Sequence, residues 1–232
     1  MPLTEEQKFQ INRQLRAHRH RKYSTDIVLD KNHILRCFSV HPNVLRPDQM
    51  TALHLARFLL FNKKQYRNKV CIDMGCGTGI QGIVMSLFGA SKIVFSDISP
   101  HAIENTKSNI KQFNLHSKAI VVQGDLFEKI KVKADVIVFN HPFFPEKPNG
   151  NIPVSISMLD SGQLIHRFLR DARGHLKNSG KIFMPFLDMA GATNNPKVQA
   201  RKHHYKIRTR ASYGVMAGLQ KGNISIFELT TD

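Results

Sequence analysis

Four short stretches carry residues and turns suited to chemistry. Val70-Cys71-Ile72-Asp73-Met74 runs into Gly75-Cys76-Gly77-Thr78-Gly79 and then Ile80-Gln81-Gly82-Ile83, an apolar strand feeding a glycine turn and a helix. Glycines at alternate positions let the backbone bend sharply and leave no Cβ between it and a flat ligand, and the following helix begins with free N–H groups. That is a nucleotide-type site. Gly77-x-Gly79-x-x-Gly82 formally matches a dinucleotide fingerprint. Asp97 stands about 20 residues further on, where an acidic residue binds ribose hydroxyls in either kind of site. Asp125 and Asn140 follow two more apolar runs. At this level a dinucleotide and a methyl donor both stay open.

Holding these groups at one edge requires alternating elements. Apolar runs at 70–74, 92–97, 118–123, 135–140 and 181–187 read as strands, and helical spacing recurs over 48–60, 79–88, 100–114 and 159–176. Pro100 suits a first helical turn, and Gly180 stands beyond the end of the last helix. The alternation predicts an α/β, Rossmann-like fold with a mostly parallel central sheet and helices on both faces. Ligands of such folds bind at the carboxyl ends of the strands, where Gly75 to Gly79, Asp97, Asp125 and Asn140 all fall. Residues 5–22 spell a basic amphipathic helix and 34–40 a short strand. Past Asn194-Asn195-Pro196, residues 205–211 and 223–230 read as strands, and Lys197, Arg201, Lys202, Lys206, Arg208 and Arg210 are expected on a sheet edge or a loop. The division expected is a basic N-terminal extension over 1–40 and one domain over 41–232.

The 232 residues hold 34 Lys and Arg against 17 Asp and Glu, a formal charge of +17. Such an excess predicts an anionic macromolecular partner and says little about fold. Cys37, Cys71 and Cys76 are odd in number and show no C-x-x-C spacing, so neither a disulfide framework nor a cysteine metal site is expected. No run approaches the ~18 apolar residues of a membrane span. The first 22 residues are polar where a secretory signal carries an apolar core. A soluble, cytoplasmic protein is expected.

Asp73-Met74-Gly75-Cys76-Gly77-Thr78-Gly79 resembles the first motif of class I S-adenosylmethionine-dependent methyltransferases. Asp97-Ile98-Ser99-Pro100 is similar to their ribose-binding second motif, and Gly124-Asp125-Leu126-Phe127 to the third, which contacts adenine. Asn140-His141-Pro142-Phe143 resembles the fourth, N-P-P-[YF], of enzymes acting on exocyclic amino or amide nitrogens. The segments 44–51 and 159–164 are similar to the small-domain branch, which includes release-factor glutamine and ribosomal-RNA guanine methyltransferases. The likeness departs at His141, where the family has its first proline.

The resemblance implies S-adenosyl-L-methionine as cofactor. Asp73, Gly75, Cys76, Gly77, Thr78 and Gly79 would lie along its methionine part, Asp97 and Ile98 at the ribose, Asp125 and Leu126 at the adenine, and Asn140 beside both cofactor and acceptor. A carboxylate suits a diol because its oxygens only accept. By the same likeness, the Asn140 side-chain oxygen and the His141 carbonyl accept the two N–H bonds of the acceptor nitrogen, and Phe143, after Pro142, stacks on its plane. The expected reaction is N-methylation of an amino or amide nitrogen on a macromolecule, an RNA base slightly favoured over a protein glutamine. A methyltransferase-like RNA- or protein-binding module that lost catalysis through His141, and a nicotinamide-dependent oxidoreductase, are the competing classes. The His141 imidazole is expected to face solvent or to titrate near neutrality. A ribosome-associated protein as substrate, and a partner subunit, are compatible with the charge.

Overall fold

The computed structural model describes residues 3–17, 21–48, 50–150, 153–217 and 220–231. In chain order it runs α1 (Glu5–Ala17), β1 (Tyr23–Val28), β2 (Ile34–Val40), α2 (Met50–Phe61), β3 (Val70–Met74), α3 (Ile80–Leu87), β4 (Lys92–Asp97), α4 (Pro100–Gln112), β5 (Ala119–Gln123), β6 (Ala134–Phe139), α5 (Gln163–His175), β7 (Leu176–Leu187), α6 (Pro196–Lys202), β8 (Lys206–Ala217) and β9 (Gln220–Thr230). Residues 18–20 of the expected N-terminal helix, and Gln49, lie outside the described residues.

Local chemistry sets several boundaries. Before α1, the Thr4 hydroxyl accepts the Gln7 N–H while the Gln7 side chain accepts the Thr4 N–H, a reciprocal cap. Ser99 caps α4 by accepting from Ala102, with Pro100 in the first turn. Asn195 and Pro196 begin α6 in the same way.

The seven-stranded sheet has the order β5-β4-β3-β6-β7-β9-β8. From β5 to β7 the pairs are parallel, and β9 runs antiparallel between β7 and β8. Ile72, Ile93, Val136 and Ile137 are fully buried, as parallel strands covered on both faces require. The chain leaves β3 outward through β4 and β5 and then returns to β6 on the other side. That reversal parts the loops after β3 and β6 and opens a crevice at the carboxyl edge. The β1–β2 hairpin lies outside this sheet and is tied to α4, where Asn105 and Asn109 bond the backbone of Ser39 on both its N–H and C=O sides.

Four elements differ from the sequence reading. Helix α5 starts at Gln163 rather than 159, because Leu159 bridges Phe144 and Gly162 adopts a left-handed φ of 100° just before the first turn. Gly180 sits within β7, not beyond a helix: the register against β6 slips between Ala134 and Val136, and a Cβ there would meet Leu176 at 2.8 Å. Strand β1 was not expected. The basic residues after Asn195 divide, with Lys197, Arg201 and Lys202 on helix α6 and Lys206, Arg208 and Arg210 on edge strand β8.

Close packing of α3 on the sheet depends on Gly82, where a Cβ would stand 2.2 Å from Phe95 on β4. Replacing Gly82 with Ala is expected to destabilise the fold by about 1–3 kcal/mol through overpacking, read from urea unfolding midpoints.

Candidate active site

The glycine turn joins β3 to α3 with Gly75, Gly77 and Gly79 at φ of 59°, 55° and 84°. Side chains rarely adopt that region, so the turn's shape follows from its glycines. Its polar backbone is held from three sides. The Asp97 carboxylate at the end of β4 accepts the Gly77 N–H at 2.9 Å. On α4, the Thr106 hydroxyl donates to the Gly77 carbonyl at 3.0 Å and Asn109 donates to the Thr78 carbonyl at 2.9 Å. Asp73, inside the fold, accepts the Gly82 N–H at 2.8 Å. Burial, with the charge of Asp97 nearby, pushes the Asp73 carboxyl well above its usual range. Asp73 therefore supports the turn from behind, outside the cavity wall.

Asp97 also accepts the Ser99 N–H at 2.9 Å. Burial raises its pKa, opposed by the N–H groups of Ser99, Gly77 and Ile98. Gly77 and Ser99 each occupy one oxygen, and a carboxylate with about four acceptor sites keeps capacity for a ribose hydroxyl beside these and the Ile98 N–H. The Cys76 thiol is buried, its pKa raised by that burial, and its sulfur stands 3.3 Å from the Thr106 hydroxyl. Leu126 holds a left-handed φ of 50°, unusual for a leucine, in the loop after β5. Asp125 is paired with Arg167 of α5 at 2.5 Å, a partner that sequence reasoning did not single out.

After β6, Asn140 places a buried Oδ1 that has no hydrogen-bond partner among the described residues. A buried acceptor left unpaired is costly unless something binds it. His141 does not face solvent. It is 1% exposed, and its Nε2 donates to the Asn194 carbonyl at 2.8 Å, against the ring of Phe186. Burial pushes its pKa down to about 4, against the opposing pull of the Asn194 carbonyl and Asp160, so the imidazole is neutral at pH 7 rather than titrating there. Asn194 in turn donates to the carbonyls of Phe143 at 3.3 Å and Asp160 at 2.6 Å. These three bonds pin the 140–144 loop, replacing with side-chain contacts the rigid φ that a proline would supply.

A cavity of about 320 Å³ opens at the carboxyl edge, within the range of small-molecule sites. Gly75, Cys76, Gly77, Thr78, Asp97, Ile98, Asp125, Leu126, Asn140 and Pro142 line it, so the four sequence motifs converge. Gly79 does not line it and caps α3 instead. His141 and Phe143 face a recess of about 20 Å³ behind Asn140, shared with Gln14 of α1. Sequence reasoning missed Arg46, paired bidentately with Asp48, and Arg167, both in the wall, and the supports Thr106, Asn109 and Asn194. A flat wall without Cβ atoms, a carboxylate with spare lone pairs and apolar walls at Met74, Leu126 and Phe139 fit an adenosyl cofactor.

The fold and this wall define a class I S-adenosylmethionine-dependent methyltransferase. The chain belongs to the methyltransferase small domain family, which it matches over residues 46–208. Among curated relatives it is 32% identical over 148 residues to a Methanocaldococcus jannaschii protein provisionally named a protein N5-glutamine methyltransferase, covering 62% of this chain and 72% of that one. It is 31% identical over 106 residues to the release factor glutamine methyltransferase of Borreliella burgdorferi, covering 46% of this chain and 37% of that one. The chain thus spans well under half of the second relative. In structure it is similar to a ribosomal protein L11 methylase of Lactobacillus delbrueckii subsp. bulgaricus, with TM-score 0.56, 16% identity and coverage of 87% and 97%. That likeness concerns the fold. No helix among the described residues is long and apolar enough to cross a membrane.

His141 generates a pH prediction. Its pKa is about 4 in the fold and ordinarily 6.5, so the unfolded chain binds the proton first as pH falls. The stability contributed is complete above about pH 6.5 and is lost on the way down to about pH 4, up to roughly 3 kcal/mol. His141→Gln, which keeps an N–H donor, is expected to shrink the loss between pH 7 and 4.5 measured by urea unfolding. An identical acid sensitivity in both proteins would refute the assignment.

Proposed function

We propose that the chain methylates the amide nitrogen of a protein side chain, glutamine being the acceptor its relatives' names favour. The observation that carries this reading is the buried Oδ1 of Asn140, without a hydrogen-bond partner among the described residues, on a residue that lines the cavity. An amide nitrogen is a poor nucleophile because its lone pair is delocalised. Asn140 Oδ1 would accept one N–H of the acceptor and orient its lone pair, on a loop pinned through His141 and Asn194. S-adenosylmethionine bound here supplies an electrophilic methyl group on a sulfonium. Asp97 would hold the ribose hydroxyls, the glycine turn the methionine part, and Asp125 with Leu126 the adenine. Asn140 and Pro142 then border both ligands, and positioning in a site walled from water carries the rate. Intracellular, cytoplasmic placement belongs to the same proposal, supported by three free thiols. An RNA base amino group is the second reading, favoured by the charge of +17.

Transfer of radiolabelled methyl from S-adenosylmethionine into a cell extract, followed by separate nuclease and protease digestion, tests the acceptor. Label released only by protease supports the proposal; label released only by nuclease overturns it for the RNA reading. Asn140→Ala is expected to lower kcat by about 10²–10³-fold, as for loss of one oriented partner at a reacting group. Asp97→Ala removes two charge-assisted bonds of about 1.5–3 kcal/mol each, so calorimetry should show S-adenosylhomocysteine binding weaker by roughly 10²-fold or more. Tight NAD binding without S-adenosylhomocysteine binding would sink the methyltransferase reading altogether.

A further inference from the structure

A ridge of cations starts at the cavity rim and runs away from it along α5 and α6. Arg167 of α5 is in the wall, Arg170 lies one turn on, about 4.5 Å along the axis, and α6 brings Lys202 and the following His203 alongside. His203 Nε2 and His166 Nδ1 stand 2.8 Å apart, one imidazole donating to the other. Each ring keeps its outer nitrogen without a hydrogen bond to the described residues. Burial lowers the His203 pKa, and His166, His204, Arg170 and Lys202 add to the effect, so the cluster is a concentration of positive potential with no acid of its own facing His203. The acid nearest on α5 is Asp171, which takes Arg170 in a bidentate pair. The ridge is held rigid: Arg173 donates to the carbonyls of His203 and His204 and stacks over Tyr205, whose hydroxyl donates to Leu169.

We infer that this α5–α6 ridge is a docking surface for the phosphate backbone of RNA, leading a ribonucleoprotein-borne substrate to the cavity. The inference concerns docking and does not depend on which nitrogen is methylated. Three observations favour RNA over an acidic protein. Protein interfaces centre on exposed aromatic or aliphatic anchors, yet no large exposed hydrophobic residue lies on α5 and only Val198 lies on α6. One outer imidazole N–H and an ammonium in one cluster suit phosphate oxygens. Planar imidazole and guanidinium groups also stack on unpaired bases.

The test uses the full chain and two labelled probes, a short oligouridylate and a polyglutamate peptide of equal charge, followed by fluorescence anisotropy between about 50 and 200 mM salt. Oligouridylate should bind with steep salt dependence and polyglutamate more weakly. The Arg170→Ala/Lys202→Ala pair should weaken RNA binding by about tenfold and flatten the log–log salt slope by about 1.4, for two lost single-strand phosphate contacts. Lys131→Ala/Lys133→Ala removes the same charge at the opposite, amino edge of the sheet and should leave binding near wild type. The charge-conserving pair Arg170→Lys/Lys202→Arg should restore it, and S-adenosylhomocysteine calorimetry on every variant reports an intact cavity. Equal weakening by both alanine pairs, equal affinity for polyglutamate, or unchanged binding in the ridge pair would each overturn the inference.

Discussion

The bond from Gly77 to the Asp97 carboxylate sets the geometry on which the cavity depends. A turn of three left-handed glycines cannot complete its hydrogen bonds within itself, so neighbouring elements must do so. Asp97 does it from β4, and Thr106 and Asn109 do it from α4. The same Asn109 also holds β2 through Ser39. The N-terminal hairpin is therefore mechanically continuous with the cofactor wall. Asp97 combines two tasks, since it fixes the turn and also stands in the cavity wall.

The acceptor side is built on a different device. A proline after Asn140 would restrict the backbone by its ring, whereas His141 buries a neutral imidazole and ties it to a residue 53 positions away. Asn194 spreads that tie over the Phe143 and Asp160 carbonyls, so the loop after β6, the entry to α5 and the entry to α6 are joined through one residue. Phe143 packs inward on Phe144 and Phe186. This ring accordingly lies outside the cavity wall. The exchange at 141 thus preserves a held loop by another physical means, and it brings an acid sensitivity that a proline lacks.

Charge is arranged by position as well as by number. Within the wall the cations are neutralised, Arg167 by Asp125 and Arg46 by Asp48. Both pairs are at least a fifth exposed, so they shape the wall more than they stabilise it. Along the outer half of α5 and the end of α6 the balance is positive, and a polyanion meeting that ridge is led toward the wall. A cavity rim whose cations are paired thus stands beside a ridge of net positive charge.

Much of this was legible in the chain itself. Strand periodicity, turn glycines and the spacing of Asp97, Asp125 and Asn140 are local properties, and they placed β3, β4, β5 and β6, the carboxyl-edge site and part of its wall. The start of α6 was written there too, in Asn195 and Pro196, but seven residues of weak amphipathicity gave no period to read. The start of α5 was hidden because residues 159–162 have helical spacing, and only the Phe144–Leu159 bridge removes them from the helix. Hydrogen-bond partners at long separation had no sequence signal at all. Asp125 with Arg167, His141 with Asn194 and Thr106 with Gly77 are set by which faces the sheet order brings together. The chain by itself determined the class of site and a set of residues that line the cavity, because turn and strand chemistry act over a few residues. Tertiary structure decided what holds them and that His141 is buried, because burial and pairing exist only after the elements have packed.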